Sequence, residues 1–163
     1  MDPQIKVTYH PRTKKTRSQG GFLTLFTVTT ASHQKITVKN NRSSTIPRLL
    51  VQEQIPVSHD ERLKVTLIEP AAIEFPNRNT INAASLKGDR AFLAPVKLSN
   101  GVSVRWKVND DEDGEAEAEG TAGADGARGG ILEWICEIGP GQSTELDLAW
   151  EVNAPASLNW GPQ

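Results

Sequence analysis

Apolar and polar residues alternate along most of this chain, and that period decides the fold class. Successive side chains of an extended strand point to opposite faces, so a period of two marks a strand with one face buried. Leu132, Trp134, Cys136 and Ile138 share one side, with Glu133 and Glu137 on the other. Leu146, Leu148, Trp150 and Val152 repeat the pattern against Glu145, Asp147 and Glu151. Gly139-Pro140-Gly141-Gln142 lies between the two segments and supplies turn chemistry. They are expected to pair as an antiparallel hairpin.

The same reading holds upstream. Ile5, Val7 and Tyr9 alternate with Lys6 and Thr8, and Ile36 and Val38 with Lys35, Thr37 and Lys39. Phe22 to Thr30 is rich in Thr, Val and Phe, which suit the pleat. Leu49 to Val57 continues as far as Pro56, which cannot donate to a ladder and marks an edge, a bulge or a strand end. Leu63, Val65 and Leu67 face one way; so do Val102, Val104, Trp106 and Val108. The one helical candidate, Thr80 to Lys87, is too short to stand alone. Residues 69–98, with Pro70, Pro76 and Pro95, read as irregular coil over the sheets. The expected fold is all-β: an antiparallel β-sandwich, immunoglobulin-like, of seven or eight strands. Trp106, Trp134 and Trp150 belong in its inter-sheet layer, where their indole N–H groups need partners. The expected division is a basic N-terminal strand and arm over 1–21, a sandwich domain over 22–155 and a tail over 156–163.

Charge is segregated along the 163 residues. The net is −2, from 18 basic and 20 acidic side chains. Eight of those acids lie between positions 110 and 126, with no base among them. The other 12 acids face 18 bases, so the rest of the chain carries +6. From 110 to 130 no apolar residue is larger than Ala, so the stretch cannot offset the entropy of ordering itself. It is expected to be a flexible acidic loop between strands. The opposite pole is Arg12, Lys14, Lys15 and Arg17, with no acid from His10 to Gly21. Opposite potentials steer encounter. These four cations, with Asp110, Asp111, Glu112 and Asp113, are therefore the candidate interaction residues, toward a protein partner or a second copy in a homo-oligomer.

Other chemistries fail on spacing. Ser58-His59-Asp60 holds the residue types of a hydrolytic triad, but neighbours on an extended chain point apart and cannot relay a proton. Capping of a turn after Pro56 is the better account. His10, His33, His59 and Cys136 show no metal-ligand spacing, and one cysteine allows no internal disulfide. The carboxylates of 110–119 lack the helices of a hand-type calcium loop. Gly120 to Gly130 lacks the Lys-Ser/Thr of a phosphate loop. Nucleic-acid binding is not expected: only Tyr9 is near the basic stretch, and the pI is 5.9. No apolar run is long enough for a membrane helix, and Met1-Asp2-Pro3-Gln4 opens no signal peptide, so a cytoplasmic protein is expected. The sequon Asn41-Arg42-Ser43 then carries no weight. The expectation is a non-enzymatic interaction or structural module without cofactor. A second reading is a sandwich that binds a small ligand or carbohydrate through an exposed aromatic such as Trp160.

Gln54-Ile55-Pro56-Val57-Ser58-His59-Asp60-Glu61-Arg62-Leu63-Lys64-Val65 resembles a signature of mucoidy-inhibitor-A-like proteins. Ile36 to Asn40 is similar to the strand before it in that family. Gly130 to Trp134 and the Gly139-Pro140-Gly141 turn are similar to its closing hairpin, and Glu151 to Pro155 to the end of its final strand. The resemblance covers roughly 22–155 and implies the C-terminal β-region of a family of unknown function. Its longer members carry an N-terminal domain and a coiled coil. This chain has no heptad pattern, so the resemblance implies an excised piece or a short member. The acidic insert departs from the family pattern. The resemblance implies a fold and no catalytic residue.

Overall fold

The computed structural model describes residues 4–20, 26–58, 60–74, 94–107 and 129–157. Nine strands run in chain order: β1 Ile5–Tyr9, β2 Thr13–Gln19, β3 Thr27–Asn40, β4 Ile46–Gln54, β5 Lys64–Glu69, β6 Val96–Ser99, β7 Val102–Trp106, β8 Ile131–Ile138 and β9 Ser143–Pro155. There is no helix among the described residues. One sheet has the order β1-β3-β9-β5, with β2 also paired to β3; the other has the order β4-β8-β7-β6. Every pairing is antiparallel.

The alternation makes this a sandwich. Ile36 and Val38 of β3, with Leu146 and Leu148 of β9, meet Val104 and Trp106 of β7 and Leu132, Trp134, Cys136 and Ile138 of β8. All are buried, at roughly 1.5–3 kcal/mol for each large apolar side chain. The Trp106 indole N–H donates to the Glu74 carbonyl at 3.0 Å. The Trp134 indole nitrogen has no hydrogen-bond partner among the described residues.

The expected hairpin between the last two segments does not form. β8 lies in the four-stranded sheet and β9 in the five-stranded sheet. The Gly139–Gln142 turn is an arch that carries the chain across the core, closed by Gln142 N–H to the Gly139 carbonyl at 3.1 Å, with Gly141 at φ 69°. Two apolar faces joined as a hairpin would both point the same way and need a separate layer to cover them. Joined as an arch, they cover each other. Period-two alternation is identical in the two cases.

Asn40 fastens the arch. Its buried amide donates to the carbonyls of Ser44, Ile138 and Gly139 at 2.9–3.0 Å, and its Oδ1 accepts from the Arg42 N–H at 2.8 Å. On the opposite flank of β8, Asn100-Gly101 makes a two-residue turn between β6 and β7, with Ser99 facing Val102. Gly101 sits at φ 75°, and a Cβ there would meet the Glu137 carbonyl oxygen at 2.7 Å. β6 thus emerges from a stretch that reads as coil in the sequence. The helical candidate 80–87 lies outside the described residues. So does 108–128, which holds most of the acidic stretch. The strands on either side of that stretch, β7 and β8, pair directly with each other.

β1 and β2 are one edge strand in two pieces. The register against β3 changes from Tyr9–Ile36 to Thr13–His33, so His10-Pro11-Arg12 opposes only two residues. This is a bulge with proline at a sheet edge, where a missing N–H does least harm. From Thr13 to Arg17 the basic segment is thereby a sheet strand bound to β3, with Arg12 in the bulge before it.

Candidate interaction edge

All seven residues of β2 are exposed, on both faces. Its sequence explains why no alternation announces it: Thr-Lys-Lys-Thr-Arg-Ser-Gln has no apolar side chain to bury. The strand is held by its ladder to β3, and among the described residues its other edge carries no strand.

Hydrogen-bond parity identifies which backbone groups that edge presents. At both ends of the β3–β9 ladder the even-numbered residues bond across: Asn40 N–H to Gln142 O, and Ala156 N–H to Phe26 O. Odd residues of β3 therefore turn toward β1 and β2, as His10 N–H to Lys35 O and Asn41 N–H to Gln4 O confirm. Their partners on β2 are Thr13, Lys15, Arg17 and Gln19. The N–H and C=O groups of Lys14, Thr16 and Ser18 consequently point away from the sheet.

The four cations of this segment have different settings. The Arg12 guanidinium lies over the Trp150 ring, 5.2 Å from its centroid, at a distance suited to cation–π attraction. Arg17 approaches Glu151 of β9 at 3.8 Å. Lys14 stands beside Ser32 on the inner side and Lys15 beside Ala31 on the outer side. Neither lysine has an ion-pair partner among the described residues. Asp110, Asp111, Glu112 and Asp113 lie outside the described residues.

A second edge, unpaired among the described residues, was not legible in the sequence. β5 bonds to β9 only between Ala149 and Asn153, because Pro70 follows Glu69 and has no N–H to continue the ladder. The chain then turns toward Trp106 through Ile73 and Glu74. By the same parity, Ser143, Glu145 and Asp147 of β9 direct backbone groups to that vacated side. Beside it is a cleft of about 320 Å³ lined by Glu69, Pro70, Leu98, Trp134 and Leu146. Glu145 accepts a bond from Lys35 at 3.0 Å, which holds the lysine pKa up, and His33 meets Asp147 at 2.9 Å.

The remaining polar groups have structural partners. Glu133, 3% exposed, bonds Arg105 at 2.6 Å and Gln52 at 2.8 Å in one cross-strand row. Tyr9 donates to Glu53 across the open side of the sandwich at 2.5 Å, and this bond pushes its phenol up to about 12. Ser58 Oγ bonds both backbone groups of Asp60, the turn cap that the Ser-His-Asp run suggests; His59 lies outside the described residues. Cys136 is buried, which pushes its thiol up to about 11. Among the described residues no three His, Cys, Asp or Glu side chains converge as a metal site requires, and no helix is long and apolar enough to cross a membrane. Trp160 lies outside the described residues.

Residues 1–87 match a family described as Domain of unknown function (DUF4139). No curated protein and no solved structure matches the chain. The matched part contains β1 to β5 and the Gln54–Val65 segment, whereas the partners β8 and β9 lie beyond it. The match spans more than half of the chain, and the protein belongs to the DUF4139 family, a domain of unknown function.

Proposed function

We propose that this domain is a non-enzymatic interaction module that uses β2 as a docking edge for an acidic, extended segment. The observation that carries this reading is a seven-residue edge strand, exposed on both faces, with Lys14 and Lys15 unpaired among the described residues and three backbone positions directed outward. Such an edge takes an added strand: main-chain bonds give affinity and side chains give selectivity. Lysines on an edge also discourage pairing between like strands. Two β2 strands set side by side would bring Lys14, Lys15 and Arg17 against their own copies, which like-charge repulsion opposes. An acidic partner is accepted, and a second β2 is not.

Self-association is one form of this role, with the acidic pole of another copy as partner; Asp110, Asp111, Glu112 and Asp113 are the candidates by composition. The finer placement among mucoidy-inhibitor-A-like proteins, carried by Gln54–Val65, agrees with a module working beside other domains. A second reading, small-ligand binding, is favoured by the cleft beside Trp134. Its 320 Å³ is at the lower end of ligand pockets.

The test is sedimentation of the chain at several concentrations and salt levels. Self-association should weaken as salt rises to about 0.5 M, where the Debye length falls well below 10 Å. Replacing Lys14, Lys15 and Arg17 by Ser should weaken it at low salt. A strictly monomeric protein at high concentration and low salt would contradict self-association. An oligomer indifferent to salt and to these substitutions would contradict the role of β2.

A further inference from the structure

We propose that the acceptor for β2 is built into the sandwich itself: the unpaired length of β9, Ser143 to Leu148, in a second copy of the chain. The proposal rests on the reading of β2 as the docking edge and names the surface that receives it. Three observations select that surface. The first is the vacancy in the ladder. β5 covers β9 from Asn153 to Ala149 and stops at Pro70, and the backbone groups of Ser143, Glu145 and Asp147 on that side then have no ladder partner among the described residues. The second is length. Among the described residues six residues of β9 have no neighbour on that side, and β2 has seven. The third is charge. Glu145 and Asp147 flank this edge and Glu69 lines the cleft below it, whereas β2 brings Lys14, Lys15 and Arg17.

Parity makes the pairing specific. The outward groups of β2 belong to Lys14, Thr16 and Ser18, and those of β9 to Ser143, Glu145 and Asp147. In an antiparallel ladder these would be the hydrogen-bonded pairs, and directly opposed residues share a face. Lys14 of one copy then stands against Asp147 or Glu145 of the other. Lys15 and Arg17 fall on the opposite face, over the cleft that contains Glu69 and Trp134. β2 and the open part of β9 lie at the two sides of the same sheet, so the contact is head to tail and extends the sheet from copy to copy.

Charge exchange tests this. Lys14→Glu/Lys15→Glu/Arg17→Glu gives a chain with two acidic edges, and Glu145→Lys/Asp147→Lys one with two basic edges. Glu145 is exposed and Asp147 half-buried, and their ion pairs contribute little to folding, so both variants should melt close to the parent. Each alone should lose self-association, with Kd raised about tenfold or more, and an equal mixture should recover it. As a positive readout, a Lys14→Cys chain mixed with an Asp147→Cys or Glu145→Cys chain should form an intermolecular disulfide, since opposed Cα atoms in a hydrogen-bonded pair lie about 5.5 Å apart. Buried Cys136 does not compete. If Glu145→Lys/Asp147→Lys associates like the parent while the β2 variant does not, the acceptor is elsewhere: this proposal falls and the docking role of β2 stands. If the mixture stays monomeric or no cross-link forms, the pairing is wrong. If the parent itself never associates, the self-association reading falls with it.

Discussion

Trp134 and Cys136 occupy the centre of β8, and their inward facing follows from alternation alone. Trp134→Ala should cost about 3–5 kcal/mol, the usual range for truncating a buried aromatic; chemical denaturation of the variant checks this. The native Cys136 thiol should resist maleimide and react only on unfolding. Its pH dependence has a definite sign. Burial raises the folded pKa from 9.0 to about 11, so the folded state disfavours the thiolate. The resulting stability is fully present below pH 9 and is lost as pH rises toward 11. The denaturant midpoint should fall across that window, and Cys136→Ala should flatten the fall. Tyr9, raised to about 12 by its bond to Glu53, extends the loss to higher pH. Glu133 marks the limit of residue-level reading. Its outward direction is legible, but its burial is not, because Gln52 and Arg105 reach it only once β4 and β7 flank β8 in register.

At the scale of elements, the strands with an apolar face were legible and their neighbours were not. β8 and β9 were correctly placed as strands but wrongly paired, since alternation reports which side is buried and not what lies beside it. The arch depends on Asn40, whose amide satisfies three carbonyls. Asn40→Ala would leave buried polar groups without partners at about 1–3 kcal/mol each, partly relieved by relaxation. A total loss of about 2–4 kcal/mol is expected, measured by thermal or urea unfolding. A loss under about 0.5 kcal/mol would show that the turn holds the arch without it. β2 and β6 escaped sequence reading for separate reasons. β2 has no buried side to create a pattern, and β6 is four residues long, signalled only by Asn100-Gly101. Pro70 was visible as a breaker, yet the open edge it leaves on β9 appears only when β5 is seen beside it.

At the scale of the molecule, one sheet ends in a basic strand on one side and an acidic, half-covered strand on the other. Charge segregation was legible in composition, and it named the basic pole by residue. The acidic pole at 110–113 was legible in the same way, while that at Glu145 and Asp147 was hidden by the alternation that makes them ordinary outward residues of a strand. Exposed ion pairs contribute less than about 1 kcal/mol each, so charge alone does not hold copies together. In the docking proposed above, main-chain bonds along the added strand would contribute most of the affinity, at about 0.5–1.5 kcal/mol each. The most direct measurement is therefore amide hydrogen exchange along β2, in dilute and in concentrated protein at low salt. Thr13, Lys15, Arg17 and Gln19 bond to β3 and should be protected in both. Lys14, Thr16 and Ser18 should exchange fast when dilute and become protected when concentrated. Unchanged, fast exchange at those three positions in an associated sample would contradict docking at this edge.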